Sequence, residues 1–301
     1  VIVTVCADKG SPGVTTLATV LGLVWPGPRA VVEADTAGSD LSFRLRPAVN
    51  GGVLGGRLAP DPSIAVLATA ARLGLTDAGP LPYAQDTSLG VPVVPGVLSA
   101  DRFRALRSLW PQVAEGLAAW EGTAIVDVGR LTHDHPALPV ARASSVVLLL
   151  TPATLEGLYH VRDRVAELSG TLGDPARTRP NLGVVVTGEV RDRRSSVEQV
   201  RQVLASIGSP APVIGFVARD PAGAGGLWVG ELTRRFAGSE LVRSVRATAE
   251  SVLAGWPELL PRTPTVSPGD GDGGHVGDGD TAHGVVAAAE SAGPVMEGTR
   301  S

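Results

Sequence analysis

The chain opens Val1-Ile2-Val3-Thr4-Val5-Cys6-Ala7-Asp8-Lys9-Gly10-Ser11-Pro12-Gly13-Val14-Thr15-Thr16. Val1 to Ala7 is an apolar run of strand length, a glycine loop follows, and from about Thr15 to Val24 the pattern is helical. Trp25-Pro26-Gly27-Pro28 stops that helix. A loop joining a buried strand to a helix directs backbone amides at one point, which prepares a site for an anion. Lys9 heads the loop and is the only lysine in 301 residues; the other basic side chains are 25 arginines. Lysine is a compact charge on a flexible stem and arginine a planar fork, so the two are not interchangeable beside a phosphate. Lys9 is therefore the first candidate functional residue.

Outward from this stretch the chain alternates. Buried strands are expected at 29–34, 91–94, 123–128, 145–151, 182–187 and 213–217. Helices are expected at about 63–73, from Ser99 through Trp120, and at 153–168, 196–207, 227–236 and 240–254. Continuous apolar strands alternating with helices imply an α/β domain, its mostly parallel sheet covered by helices on both faces. Ligands in such a fold bind beyond the carboxyl ends of the strands, where Lys9, Asp35 and Asp127 fall.

With 44% hydrophobic residues the chain can fill one sizeable core. The single cysteine, Cys6, excludes an intramolecular disulfide framework; inside its apolar run it reads as a small buried hydrophobe. No apolar stretch approaches the ~20 residues of a membrane span, and the first run lacks a signal peptide's basic flank. It also starts without Met, so either a few preceding residues or a non-ATG start is expected. Together these features imply a cytoplasmic protein with no integral membrane segment. The composition changes near residue 262. Residues 263–301, rich in Gly and Asp, carry six acids and one arginine, whereas residues 1–262 carry 24 acids and 25 bases. We read 1–262 as the folded domain and 263–301 as a disordered acidic tail with too few apolar residues to offset its ordering entropy. Its Asp-Gly alternation lacks the closing Glu of a calcium loop. His133 and His135 have no second ligand cluster nearby and read as loop surface rather than a metal site.

An ordinary phosphate loop runs G-x-x-x-x-G-K-S/T. Here Gly13-Val14-Thr15 puts valine where the lysine belongs. The run Lys9-Gly10-Ser11-Pro12-Gly13-Val14-Thr15-Thr16 nevertheless resembles K-G-G-x-G-K-T-T, the deviant Walker A motif of ParA/MinD-like P-loop ATPases, a group of the SIMIBI type. It matches at Lys9, Gly10, Gly13, Thr15 and Thr16 and departs at Ser11 and Val14. Three more segments agree in order. Glu33-Ala34-Asp35-Thr36-Ala37-Gly38 resembles D-x-D-P-Q-G; Ala124-Ile125-Val126-Asp127-Val128-Gly129 resembles the Walker B strand; Ala143-Ser144-Ser145-Val146 through Thr151-Pro152 resembles A-D-x-V…T-P. The resemblance covers about residues 1–255.

The resemblance implies roles at matching positions only. Gly10, Ser11, Gly13, Val14, Thr15 and Thr16 would line the ATP phosphates. The Thr15 hydroxyl would reach Mg²⁺ and Asp127 would hold that ion through water. Asp35 would orient the attacking water, and Lys9 would cross a homodimer to the partner's phosphates. Each has a plainer alternative: Thr15 as a helix N-terminal residue, Asp127 as a turn former, Asp35 as a turn cap, Lys9 as surface charge. Val14 removes a close cation and Pro12 an amide donor, so hydrolysis is expected to be weak. Thr187 stands where many relatives carry an Asn that reads adenine.

The function implied is a nucleotide-dependent dimerising switch that positions cellular cargo, either DNA in partition or a secretion or pilus machine. The alternative is a non-hydrolysing scaffold, as in TadZ/CpaE-like localisation proteins. Ring- or amide-forming synthetases of the same fold rank third, because they keep the ordinary lysine. DNA is the less favoured partner. Arg191, Arg193, Arg194, Arg201, Arg234, Arg235, Arg243 and Arg246 cluster, yet the body's balance is only +1 and a salt-bridged surface accounts for them.

Overall fold

The computed structural model describes residues 1–10, 12–48, 56–173, 181–230 and 232–261; the acidic tail read at 263–301 and Ser11 lie outside them. Eight strands form one sheet: β1 (Ile2–Ala7), β2 (Arg29–Glu33), β3 (Gln85–Asp86), β4 (Pro92–Val94), β5 (Thr123–Arg130), β6 (Val146–Pro152), β7 (Leu182–Gly188) and β8 (Val213–Ala218). Their order is β3-β4-β2-β5-β1-β6-β7-β8, and every pairing is parallel except β3 with β4. The helices are α1 (Val14–Val24), α2 (Leu41–Arg44), α3 (Ile64–Ala71), α4 (Ala100–Ala105), α5 (Trp110–Ala119) and α6 (Leu138–Ala143). After them come α7 (Leu155–Leu172), α8 (Arg193–Ser206), α9 (Pro221–Val229), α10 (Arg234–Ala237) and α11 (Glu240–Gly255).

Strand alternation sends β1 side chains to two separate cores. Ile2 and Cys6 pack with α3, α5, α6, α7 and α8 on one face. Val3, Val5 and Ala7 pack with α1, α9, α10 and α11 on the other. Both faces are thus covered, as continuous apolar strands require. The architecture is that of a P-loop NTPase, with β1 running into the glycine loop and α1. Cys6 is fully buried, and burial raises its thiol pKa far above the ordinary range, so it is packing rather than a nucleophile. No helix among the described residues is long and apolar enough to cross a membrane.

Three expectations are corrected. The helix read from Ser99 through Trp120 is broken into α4, a 3₁₀ turn at Arg107–Leu109, and α5. Pro111 lies in the first turn of α5; with no amide hydrogen and a ring that crowds the preceding turn, it starts a helix rather than continuing one. The helix read at 227–236 is α9, which starts at Pro221 and ends at Gly230 (φ 79°), with α10 separate. Asp220 caps α9 by accepting from the Gly223 amide at 2.8 Å, a start signal hidden by the glycine-rich sequence. His135 is not loop surface. It is 4% exposed, its Nδ1 accepts from the Ala137 amide, its ring meets Phe103 edge-on, and burial drops its pKa to about 4. His133 is exposed.

Helix α1 lies unusually close to the sheet because Gly22 faces it: a Cβ there would stand 2.6 Å from Val31 Cγ2 and 2.9 Å from Val91 Cγ1. Alanine gains about 1 kcal/mol in helix propensity, but overpacking costs about 1–3 kcal/mol. Gly22→Ala is therefore expected to be net destabilising, read as a lower urea midpoint.

Candidate functional site

The loop leaves β1 at Asp8 and turns on Gly13, whose φ of 103° lies in the left-handed region that a side chain would disfavour. Gly13 is the N-cap of α1 and offers no side chain; no acid occupies the first turn. The α1 amides thus end uncapped at the positive end of the helix dipole, an arrangement suited to an anion. Val14 is 6% exposed and packs in the core beneath α1, so the position of the missing lysine is filled with aliphatic contact. Thr15 and Thr16 are half-buried in the first turn of α1.

Beside this turn the carboxyl ends of β2 and β5 bring three acids together. Glu33 pairs in register with Asp127, and the Ala34 amide donates to the Asp127 carbonyl at 2.7 Å. Asp127 is fully buried. Its Oδ1 accepts from the Gly129 amide at 2.9 Å, while Oδ2 has no hydrogen-bond partner. Burial raises its pKa to about 7, the charges of Glu33 and Asp35 adding to the rise and the nearby Thr15 hydroxyl and Gly129 amide opposing it. Asp35 Oδ1 accepts from the Ala37 amide at 2.8 Å; burial, then the charge of Asp40, raises its pKa. Only glycine fits at 129 (φ 59°), since a Cβ would lie 2.3 Å from Asp35 Oδ2. Thr15 and Asp35 each lie close enough to Asp127 to act on its carboxyl.

Lys9 stands apart. It is exposed and lines a cleft of about 220 Å³ with Asp8, Thr154, Glu156 and His160, a cleft that includes none of Thr15, Asp35 or Asp127. Its neighbours in that cleft come from the end of β6 and the start of α7.

Glu33 was not foreseen as a site residue. It is 1% exposed and accepts four hydrogen bonds: Asp40 N (2.8 Å) and Leu41 N (3.0 Å) on Oε1, Ser39 Oγ (2.5 Å) and Gly96 N (2.8 Å) on Oε2. Burial raises its pKa, and these donors pull it back. It clasps the segment after Asp35 and the loop after β4 onto the end of β2. The signal in the sequence was an acid inside the apolar run Val31-Val32-Glu33-Ala34. Asp8, His160 and Arg164 were also missed, because their contacts join residues more than 150 positions apart.

Among the described residues no group of three or more His, Cys, Asp or Glu could hold a metal directly. The groups that could hold a divalent cation are instead the Thr15 hydroxyl and the nearby buried Asp127 Oδ2. One hydroxyl and one carboxylate suit an ion that keeps its waters, as magnesium does.

No protein-family model and no curated protein matches this sequence. Solved structures do. A ParA family ATPase from Chlorobium tepidum aligns over 83% of this chain and 98% of its own, at 14% identity and TM-score 0.61. The cell division ATPase MinD of Pyrococcus furiosus aligns over 84% and 98%, at 18% and 0.61. The chain has the ParA/MinD fold. Cobyrinic acid a,c-diamide synthase from Mycobacterium smegmatis, solved with an ATP analogue and magnesium, aligns over 87% and 98% at 18% identity and TM-score 0.57. In this ParA/MinD fold the sequence motifs occupy the turn after β1, the end of β2 and the end of β5.

The buried acids make stability depend on pH. A carboxyl whose pKa is about 7 folded and 3.8 as the reference holds its proton more tightly in the native state. It costs stability progressively as pH rises from about 4 to about 7. Asp127→Asn should leave stability at pH 4 nearly unchanged and raise it at pH 8, by at most about 4 kcal/mol at 1.36 kcal/mol per unit. A urea-unfolding free energy at pH 8 no higher than wild type would contradict the assignment. Glu33→Gln should destabilise at all pH values by about 1–3 kcal/mol, because an amide NH₂ replaces an oxygen that accepts hydrogen bonds.

Proposed function

We propose that this chain is a ParA/MinD-like nucleotide-dependent switch that binds Mg²⁺-ATP weakly, dimerises through the loop face and positions cellular cargo of the DNA-partition, secretion or pilus kind. One observation carries the reading: Thr15, the unpartnered Asp127 Oδ2 and Asp35 meet beside an uncapped helix start at the carboxyl ends of β1, β2 and β5. The uncapped α1 amides would receive phosphate oxygens. Thr15 and Asp127 hold the magnesium ion, whose charge offsets that of the phosphates. Asp35, held by the Ala37 amide, faces the same space and orients water there. Lys9, exposed and lining a cleft that includes none of these residues, suits a role in the partner's site rather than its own.

Val14 sets the limit on chemistry. An aliphatic side chain packed into the core cannot follow charge developing on a transferred phosphate, and losing such an interaction costs on the order of 10²–10³ in rate. Slow hydrolysis follows, and the second reading, a scaffold that no longer turns over, rests on this same substitution. A synthetase that transfers or activates phosphate needs that cation most, so Val14 weighs against the activity carried by the cobyrinic acid a,c-diamide synthase. The Arg191 to Arg201 and Arg234 to Arg246 side chains are exposed, with Arg191 beside Asp192 and Arg243 paired to Glu240. The other six have no ion pair among the described residues, so the preference for protein partners over DNA rests on the near-neutral balance of residues 1–262. Residues 263–301 are proposed to be a disordered acidic extension.

Light scattering on a sizing column tests the switch. Mg²⁺-ATP is expected to convert monomer to dimer, and Lys9→Ala to abolish the conversion. A mass indifferent to both nucleotide and substitution would leave the scaffold reading.

A further inference from the structure

The residue before Lys9 is an acid, the wrong sign for the edge of a phosphate site. The Asp8 carboxylate, however, is already engaged by two side chains of α7. From α7, Arg164 Nε donates to Asp8 Oδ1 at 2.6 Å, and Nη2 lies 2.5 Å from the same oxygen. His160 Nδ1, one turn earlier on α7, lies 3.1 Å from Oδ2. Arg164 Nη1 donates to Glu167 Oε2 at 2.8 Å, which fixes the guanidinium from behind. The Asp8 and Arg164 side chains are only 14% and 11% exposed. Ion pairs at the surface contribute little. This one is largely withdrawn from water, shares one arginine between two carboxylates and engages both Asp8 oxygens, which makes it a strong constraint on where that charge can go.

We propose that Arg164 is a positioning residue for Lys9: by holding the Asp8 carboxylate against α7, it keeps the neighbouring acid from pairing with Lys9, whose ammonium is left available to phosphate. The inference rests on the reading of Lys9 given above. It also explains why an acid is tolerated in a loop that has already lost the Val14 position as a cation. With one lysine serving the phosphates, an intramolecular competitor one residue away would remove it. The other nearby acid, Glu156, is held first by its own backbone amide and the Thr154 hydroxyl and feels Lys9 only weakly.

Two measurements on the full chain test this separately, and both use Asp8→Asn, Arg164→Gln and the double variant. The first is NMR of protein labelled in its sole lysine, without nucleotide. Arg164→Gln should shift the single Lys9 Cε–Nζ signal as Asp8 turns to it, and Asp8→Asn together with Arg164→Gln should return it. The second is the Mg²⁺-ATP concentration needed for dimerisation by light scattering. It should rise about tenfold in Arg164→Gln, equivalent to about 1.4 kcal/mol, and recover in the double variant, while Asp8→Asn alone stays near wild type. If the clamp merely docks α7, Asp8→Asn is as impaired as Arg164→Gln and the double variant is not rescued, and the proposal falls. An unmoved lysine signal in Arg164→Gln also overturns it. A wild type that never dimerises with Mg²⁺-ATP overturns the switch reading instead, and the lysine signal then still decides whether Arg164 governs Lys9.

Discussion

Three acids gathered at neighbouring strands are the constraint around which this site is organised. Glu33, Asp35 and Asp127 converge at the ends of two paired strands, and an isolated buried carboxylate would cost several kcal/mol. The surroundings answer each differently. Glu33 accepts four hydrogen bonds and becomes a structural clasp. Asp35 keeps one backbone donor and partial exposure, against a glycine that leaves it room. Of the three, Asp127 alone retains a buried oxygen with no partner, and its pKa rises to about 7. Uneven satisfaction of three neighbouring acids separates their parts: the satisfied one holds the loops, and the unsatisfied one is the group that the proposed reading assigns to magnesium.

Positive charge is arranged with the same economy. The α1 turn provides amide dipoles and no side-chain cation, since Val14 belongs to the core beneath it. Lys9 lines a separate cleft beside α7, and Arg164 is committed to Asp8 and Glu167. A single chain therefore offers the phosphates dipoles and little formal charge. On the proposed reading that shortage is made up by magnesium and by a second copy, so binding and self-association become one event. Coupling of this kind arises when the competent site is incomplete in the monomer.

The fold itself does not choose among these chemistries. ParA, MinD and a cobyrinic acid a,c-diamide synthase all align over most of this chain at 18% identity or less. Function in such a superfold is argued from the site. Here the decisive positions are few: an aliphatic Val14, a lone lysine outside the acid group, and an unpartnered carboxylate oxygen beside Thr15.

By itself the sequence determined the alternation of buried strands and helices, the loop after β1, the start of α1 near Thr15 and the place of Asp35 just after β2. These follow from local chemistry: apolar runs, side-chain period and glycine conformational freedom act within a few residues. Its misreadings were local signals outweighed by others, as when Pro111 ended a helix that the apolar pattern continued, or Asp220-Pro221 opened one among glycines. Tertiary structure alone decided the strand order that seats β1 between β5 and β6, and with it which acids share a pocket. It also decided the burial of His135 against Phe103, the donors from Ser39 to Leu41 and from Gly96 that meet on Glu33, and the Arg164 fork on Asp8 across 156 residues. Such contacts depend on where parallel strands and their crossover helices bring distant side chains, and no local pattern encodes that placement.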